Sequence, residues 1–333
     1  MKDGILNINK PQEMTSFDVV AILRRKLGIK RIGHLGTLDP MAEGVLPIAL
    51  GKAARIMEYL DSDTKEYIGE FLFGITSDTD DIWGKELKFG DKKEILRSDL
   101  EDAIKDFVGT IEQIPPKYSA LKVDGKKLYE YARAGKEVDI KSRKINIESF
   151  DILDFGKRYV GEVDAEICYA VVRIVCSKGT YIRSLARDVG GALGTGGLMS
   201  ALIRKRSGAF KIDDAVPLNE IREMEVSDIE KLIVNTEEAI PSFPRVYLGI
   251  WEERLFRNGV PLESNQWSKE DSKGVEQYDV DLQDIGGSID AFRVFPLELP
   301  EEYARTYLVF GEKAFLGIGL ESGGKLKAEK VLV

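Results

Sequence analysis

Histidine and cysteine are scarce in this chain of 333 residues, which has one histidine, His34, and two cysteines, Cys168 and Cys176. A serine–histidine–aspartate triad would have to use His34, and no G-x-S-x-G motif is present to carry its nucleophile. The cysteines lack metal-ligand spacing and stand in strand-like runs, so we expect reduced core residues. The sequence therefore argues against a hydrolase triad and against a zinc site.

Long apolar runs are also missing. No 18 consecutive residues are apolar, and the stretch 189–203 is short and rich in glycine. The N-terminal segment, M-K-D-G-I-L-N-I-N-K-P, lacks the apolar core of a signal peptide. We therefore expect a cytoplasmic protein that does not associate with a membrane.

The glycine-rich segments do not match nucleotide-binding motifs. Six residues separate Gly44 from Gly51-Lys52 where a P-loop has four, and Ala53 replaces serine or threonine. The segment Gly190–Gly197 follows a predicted helix instead of a strand, and no G-x-G-x-x-G register fits it. ATP and NAD are therefore not expected as cofactors.

The net charge of −9 is unevenly distributed along the chain. Residues 219–333 hold 13 basic and 23 acidic side chains, whereas residues 1–218 hold 35 and 34. Within the first part, Lys117–Lys144 carries nine basic and four acidic residues, interleaved with tyrosines. Further basic clusters occupy 24–31 and 204–211. Basic patches mixed with aromatic residues suit RNA, although any single patch is more often a solvated face.

The twelve residues Gly33–Gly44, G-H-L-G-T-L-D-P-M-A-E-G, combine three glycines with His34 and Asp39. Glycine permits positive φ and close backbone approach, and Pro40 restricts the backbone at Asp39. The flanking segments are largely apolar, which favours a loop pinned between buried strands. Such a loop suits an active site that presents Asp39. An Asx turn, in which Asp39 only bonds its own backbone, has similar weight from spacing alone.

Local patterns predict the elements around this loop. Thr15 followed by Asp18 forms a capping box, so a helix is expected to start there and to end at Gly28. Residues 65–73, K-E-Y-I-G-E-F-L-F, alternate as a strand that can point Tyr67 toward the loop. Residues 76–84 contain three aspartates without EF-hand spacing, and we expect a structural loop.

A later helix is expected to carry Arg183. Two or three strands between residues 144 and 177 lead into it, and Thr180 is predicted as its cap. Arg183 would then lie in the first turn, where a cation opposes the helix dipole unless a carboxylate pairs with it. An ordinary surface arginine is the alternative, and the sequence alone favours it.

Five segments stand in a fixed order within residues 4–218. They are G-H-L-G-T-L-D-P-M-A-E-G-V-L-P-I-A-L-G-K-A-A-R, K-E-Y, I-P-P-K-Y-S-A-L-K-V-D-G-K-K-L-Y-E-Y-A-R-A-G, C-S-K-G-T-Y-I-R-S-L-A-R-D-V-G and G-L-M-S-A-L-I-R-K-R-S-G-A-F. Together they resemble the bacterial tRNA pseudouridine synthase B family, the pseudouridine-55 synthases. Leu35, Lys52 and Ile203 depart from the family's usual residues.

The resemblance implies an α+β fold, with a mixed, largely antiparallel sheet flanked by helices and a small C-terminal β-rich, barrel-like domain of the PUA type. It implies a catalytic domain over residues 1–240, with an RNA-gripping insertion at about 117–147. The second domain is expected over 241–333, where short apolar strands alternate with turns.

The resemblance also implies roles for individual residues. Asp39 would be the catalytic aspartate, Arg183 would pair with it, and Tyr67 would stack on the target uracil. Leu202 would line the pocket, and His34 would wedge into the T-loop where the base leaves. The other substrate-binding residues are expected to be Lys10, Tyr181, Lys126, Lys127, Arg133 and Arg204.

The implied reaction converts uridine 55 of tRNA to pseudouridine. In this reaction the glycosidic bond breaks, the ring turns and a C–C bond forms. One ionised carboxylate can start the reaction without a cofactor or metal. An adjacent arginine favours the charged carboxylate, an aromatic face holds the loose uracil, and an inserted side chain fills the gap left by the flipped base. We expect a monomer that binds the T-arm stem-loop of tRNA.

Other functions stay open from the sequence. A relative that modifies ribosomal RNA within a guide-RNA complex has a similar C-terminal domain, but the T-arm-type insertion argues against it. A chaperone that folds tRNA without catalysis is another alternative, and both functions can coexist in one protein. A carbohydrate-active enzyme that uses two carboxylates lacks a convincing second acid.

Overall fold

The computed structural model describes residues 2–60, 64–90, 94–123, 125–136, 138–240, 243–269 and 305–333. Backbone packing divides the chain into two units. The first contains Leu6–Ala49 and Asp61–Ile233, and the second contains Lys2–Ile5, Leu50–Leu60 and Val234–Val333. The division therefore falls before the boundary expected at 240/241. A cut after residue 240 would split the second unit instead of removing it whole.

A mixed sheet of ten strands, counted over the described residues, lies at the centre of the first unit. The strands up to residue 217 are β1 (Gly4–Lys10), β2 (Ile32–His34), β3 (Glu43–Leu50), β4 (Thr64–Phe73), β5 (Ile75–Thr76), β6 (Lys88–Phe89), β7 (Gly109–Gln113), β8 (Lys122–Val123), β9 (Lys126–Lys127), β10 (Arg143–Val160), β11 (Ala165–Ser177), β12 (Gly197–Ser207), β13 (Phe210–Lys211) and β14 (Val216–Pro217). Eight of them lie in the order β14-β1-β3-β12-β4-β11-β10-β7, with β2 beside β3 and β13 beside β12.

Most neighbours in this sheet are antiparallel. The strand β4 pairs antiparallel with β11 and β12, and β11 pairs antiparallel with β10. The two parallel pairs among the described registers are β1 with β14 and β3 with β12. The predicted mixed, largely antiparallel sheet is therefore confirmed, and β4 and β12 lie side by side near its middle.

The helices are short, and several of them flank the sheet. They are α1 (Ser16–Leu27), α2 (Met57–Leu60), α3 (Arg97–Lys105), α4 (Leu128–Arg133), α5 (Ile182–Ala192), α6 (Leu218–Glu223), α7 (Val226–Lys231) and α8 (Ile250–Arg257), with 3₁₀ turns at Gly51–Arg55 and Ile212–Asp214. The capping box that starts α1 is confirmed, and Gly28 ends the helix at a φ of 66°. No helix in the described part of the chain has both the length and the apolar character needed to cross a membrane.

The glycine-rich segment at the end of α5 has a packing role. A Cβ at Gly190 would lie 2.3 Å from the backbone nitrogen of Gly197, so only glycine lets α5 approach the start of β12 this closely. The close approach packs the C-terminal turn of α5 against the start of β12.

The second unit contains a separate sheet. Its strands are β15 (Arg245–Tyr247), β16 (Ser268–Lys269), β17 (Thr306–Phe310), β18 (Phe315–Ser322) and β19 (Lys325–Val331), in the order β16-β15-β17-β18-β19. Apolar residues from these strands, from α8 and from the intervening loops form its core: Val246, Leu248, Phe256, Leu262, Tyr307, Val309, Leu316 and Leu326. The expected C-terminal β domain is confirmed, while residues 270–304 of it lie outside the described residues.

Candidate active site

Asp39 lies in the loop between β2 and β3, and backbone contacts hold this loop in place. Ser16, in the first turn of α1, donates through Oγ to the Leu38 carbonyl at 3.0 Å and accepts from the Leu38 N–H at 2.9 Å. The Ala42 N–H donates to the Asp39 carbonyl at 3.1 Å and closes a turn. The Asp39 side chain keeps 36% of its surface exposed. The loop therefore presents the carboxylate to solvent on a fixed backbone.

A close approach of Gly44 to Arg204 fixes the far end of the loop. The φ of Gly44 is +105°, and a Cβ there would lie 2.3 Å from the Arg204 carbonyl oxygen. The Arg204 guanidinium donates to the carbonyls of Val45 at 2.7 Å and Gly36 at 3.0 Å. Arg204 is only 1% exposed. β12 buries it, and its guanidinium supports the loop from inside. Its expected role in substrate binding stays a prediction.

Helix α5 brings Arg183 to Asp39. The helix begins at Ile182 with Tyr181 as its cap, and Thr180 donates instead to the Ser177 carbonyl at 2.9 Å, so the predicted cap at Thr180 is wrong. Arg183 does lie in the first turn, and its Nε is 2.8 Å from Oδ2 of Asp39. The contact is an ion pair, since the Nε–H is not aligned for a hydrogen bond. The carboxylate partner that the helix position suggested is thus found.

Further contacts orient the Arg183 guanidinium. Its Nη1 donates to the Thr79 carbonyl and its Nη2 to the Tyr118 carbonyl, both at 3.0 Å. Nη1 also lies 3.5 Å from Oδ2 of Asp81. Because the side chain is buried and its donors are distributed among these groups, its rotamer is held by the surrounding structure.

Asp81 is a site residue that sequence reasoning missed. It accepts from Thr79 Oγ1 at 2.8 Å and from the Trp83 N–H at 3.1 Å. Burial raises the pKa of Asp81, and the Thr79 hydrogen bond and the Arg183 charge act against that rise. The segment 76–84 was expected to be only a structural loop. Its run of aspartates could have been considered as the partner of the first-turn arginine, but no local pattern tells which carboxylate is buried.

Tyr67 and Leu202 contribute to the wall of the site from adjacent strands. Both side chains are buried, and Tyr67 lies on the buried face of β4 with Phe71, as its alternation predicted. Burial raises the pKa of the Tyr67 hydroxyl to about 12, and the neighbouring Arg204 guanidinium partly opposes this shift. Tyr67 therefore keeps its proton near neutral pH and offers an aromatic ring with a neutral hydroxyl.

Lys10 ends β1 and is fully buried. Its Nζ donates to the carbonyls of Pro11 and Met14, both at 2.7 Å. Burial lowers its pKa to about 8, while the negative charges of Asp39 and Glu43 act to raise it. The Lys10 charge therefore lies in the interior, where the charges of Asp39 and Glu43 act on it. Its expected role at the substrate stays a prediction.

A cavity of about 670 Å³ joins these groups. The predicted residues that line it are Asp39, Tyr67, Tyr181, Arg183, Leu202, Arg204, Lys127 and Arg133. Lys126 precedes Lys127 in β9, is exposed, and does not line the cavity. In the residues that the structure describes, no three His, Cys, Asp or Glu side chains are grouped so that they could hold a metal ion.

Gln113 positions Tyr181 in the cavity wall. Its side-chain oxygen accepts from the Tyr181 N–H at 2.8 Å, and its side-chain nitrogen donates to the Tyr181 carbonyl at 3.1 Å. Gln113 is buried at the end of β7 and carries no motif that would single it out in the sequence. The start of α5 is therefore anchored to the edge of the sheet.

Aromatic and cationic side chains alternate at the rim. The His34 ring meets the Phe17 ring edge-on, with centroids 5.0 Å apart. The Lys127 Nζ lies 5.8 Å from the Phe17 centroid and 5.5 Å from the Tyr129 centroid. The Arg133 guanidinium lies 5.4 Å from the Tyr129 centroid. His34 therefore reaches the cavity through Phe17, which sequence reasoning did not select.

Two solved structures share this fold. A Cbf5–Nop10–Gar1 complex aligns with a TM-score of 0.67 at 24% identity, covering 99% of this chain and 85% of that chain. An H/ACA RNP bound to a substrate RNA containing 2′-deoxyuridine aligns with a TM-score of 0.65 at 23% identity, with the same coverage. At these identities the likeness defines the fold alone.

The sequence comparisons show the family. A model described as "TruB family pseudouridylate synthase (N terminal domain)" matches residues 24–182, and one described as "tRNA pseudouridylate synthase B C-terminal domain" matches 183–240. A protein of Geobacillus thermodenitrificans is 44% identical over 262 residues, covering 78% of this chain and 85% of its own. One of Clostridium perfringens is 36% identical over 332 residues, covering 99% of each. Both are named tRNA pseudouridine synthase B. The chain belongs to the TruB family of pseudouridylate synthases.

Proposed function

We propose that this protein isomerises uridine to pseudouridine at position 55 in the T-loop of tRNA, acting as a monomer in the cytoplasm. The observation that carries the proposal is the Asp39–Arg183 ion pair, with 2.8 Å between Nε and Oδ2, in the wall of a cavity that also contains Tyr67. The curated relatives are named for tRNA, which favours tRNA over a guided ribosomal substrate.

The reaction balances within one nucleotide. The C1′–N1 bond of uridine breaks, the uracil turns, and a C1′–C5 bond forms. A proton leaves C5 and a proton is gained at N1, so no group is exchanged with a co-reactant. Asp39 starts the reaction as nucleophile or base, because it is the partly exposed carboxylate that the fixed loop presents to the cavity.

The other cavity residues orient the reacting groups. Arg183 holds the Asp39 carboxylate through its charge, and its own rotamer is set by the carbonyls of Thr79 and Tyr118. Tyr67 stacks on the detached uracil and keeps its hydroxyl proton, because its pKa is about 12. Leu202 excludes water beside it.

The rim receives the RNA. A uridine inside a folded T-loop must leave its stack before Asp39 can reach it, and a side chain at the rim fills the space that it vacates. His34 takes this role. Lys127 and Arg133 bind phosphates of the T-arm, because they are the cations of the insertion that line the cavity.

Tritium release from 5-tritiated uridine in a T-arm stem-loop tests the proposal. The wild-type protein should release tritium, and Asp39→Asn should lower the rate by about a thousandfold or more with RNA affinity retained. Asp188→Asn is a matched control, since its side chain is 32% exposed against 36% for Asp39 and it lies outside the cavity lining. Substantial turnover by Asp39→Asn, or loss of turnover in both variants, would contradict the assignment of Asp39 as the catalytic aspartate.

A further inference from the structure

Phe17 lies at the rim of the cavity with 65% of its surface exposed. It belongs to the first turn of α1, whose buried apolar side chains are Val19, Val20, Leu23 and Leu27. Phe17 therefore adds nothing to the buried face of its own helix. A single exposed apolar residue needs no explanation by itself. Phe17, however, lies on the wall of the cavity and among cations, and this position needs an explanation.

The ring of Phe17 is the first member of a row that crosses between two parts of the first unit. Lys127, from the insertion, lies 5.8 Å from the Phe17 centroid and 5.5 Å from the Tyr129 centroid. Arg133 lies 5.4 Å from the Tyr129 centroid. Aromatic and cationic side chains thus alternate along one wall, and all four line the cavity.

Such a row matches the chemistry of an unpaired RNA strand. Bases stack on aromatic rings whatever their sequence, and the phosphates between them attract cations at a similar spacing. Proteins that bind unpaired strands place cations along the backbone beside the rings on which the bases stack. His34 meets the Phe17 ring edge-on, with the centroids 5.0 Å apart, and helps to orient it.

We infer that Phe17 is a substrate-contacting residue whose ring stacks on an unpaired base next to the flipped uridine, while Lys127 binds the phosphate of that nucleotide. This inference rests on the proposed function and extends it to a second base. It assigns Phe17 to recognition of the unpaired loop and not to the chemical step. Loss of the ring therefore weakens binding of a stem-loop, and the single-turnover rate at saturating RNA separates this effect from the chemistry.

The test measures the Kd for a T-arm stem-loop and the single-turnover rate for four variants. Phe17→Ala and Phe17→Leu should raise the Kd by about tenfold, because both lose the aromatic face. Phe17→Trp should bind like the wild type, and the fluorescence of the introduced indole should change when RNA is added. Phe89→Ala is the control, since Phe89 is 57% exposed and lies outside the cavity lining.

The variants separate stacking from packing. Rescue by tryptophan but not by leucine supports stacking, whereas rescue by leucine shows that the ring is an apolar filler and overturns the inference. An unchanged Kd in Phe17→Ala also overturns it. If the wild type releases no tritium, the proposed function fails, while the Kd and fluorescence comparisons still decide the role of Phe17. If Phe17→Ala no longer unfolds cooperatively, the comparison of Phe17→Leu with Phe17→Trp decides the test.

Discussion

Asp81 faces Asp39 across the guanidinium of Arg183, with 3.5 Å between Asp81 Oδ2 and Nη1 and 2.8 Å between Asp39 Oδ2 and Nε. The two acids differ in surroundings, because the Asp81 side chain is 10% exposed and that of Asp39 is 36% exposed. We therefore expect the buried acid to orient the arginine and the accessible acid to meet the substrate.

Replacing Asp81 with asparagine should slow pseudouridine formation by about a hundredfold, because small misplacements of a reacting group have effects of that size. RNA affinity should stay near the wild-type value. Single-turnover kinetics at saturating stem-loop measure this. Asp80→Asn is the matched control. Asp80 lies in the same loop as Asp81 and pairs with Arg187, with 3.0 Å between Oδ2 and Nη1. Equal losses in both variants would show that the loop fold, and not the orientation of Arg183, is responsible.

Tyr67 variants should separate the ring from the hydroxyl. Tyr67→Phe keeps the flat face and Tyr67→Leu loses it, so both should be slow, with the larger loss for leucine. Because the Tyr67 pKa is about 12, the wild-type rate should show no step from this hydroxyl between about pH 7 and pH 10. If Tyr67→Leu turns over at the wild-type rate, Tyr67 is a core residue with no role in the reaction.

Lys10 should give the protein a distinctive pH dependence of stability. Its pKa is about 8 in the folded chain against 10.5 for an ordinary lysine. Between these values the unfolded chain binds more protons, so the free energy of unfolding rises with pH through this window, by on the order of 3 kcal/mol in total. Below about pH 8 the contribution of Lys10 to the free energy of unfolding no longer changes with pH.

Urea unfolding of the wild type and of Lys10→Met at about pH 7, 9 and 10 measures this contribution. The difference in unfolding free energy between the two proteins should shift in favour of the wild type as pH rises. All other titrating groups are common to both proteins, so they cancel. A difference that does not change with pH would mean that Lys10 keeps an ordinary pKa.

Gly44→Ala should destabilise the first unit by roughly 3 kcal/mol, because it combines an unfavourable φ with a backbone clash. The added Cβ would lie 2.3 Å from the Arg204 carbonyl oxygen. Gly28→Ala is the control, since its φ is +66° and a Cβ there meets nothing within 4 Å. Denaturant midpoints compare the two variants. Equal midpoints would show that the loss of stability comes from the backbone conformation and not from the contact with β12.

The cations of the insertion should differ in their effect on RNA binding. Lys127→Ala and Arg133→Ala should each weaken binding and reduce the slope of log K against log salt by about 1, as expected for a lost phosphate contact. Lys126→Ala, next in the chain but outside the cavity lining, should change the slope less. A wild-type slope in Lys127→Ala would remove Lys127 from the interface.

Several parts of this protein follow from short stretches of sequence. The capping box at Thr15 and Asp18 starts α1, and the alternation of residues 65–73 places Tyr67 on the buried face of β4. The glycines and Pro40 mark the loop that presents Asp39. These features are local, because a cap, a strand period and a turn each depend on residues a few positions apart.

The tertiary structure alone decided which charges are buried and which of them meet. Asp39, Asp81 and Arg183 come from segments far apart in the chain, and only the packing of α5 on the sheet brings them together. Arg204 reads as one of a basic cluster, yet the pairing of β12 with β3 sets it against Gly44 and buries it. A sequence records the charge of a side chain, whereas its burial and its partners depend on contacts between distant segments. Those contacts determine whether the charge binds RNA, drives the chemistry or supports the loop.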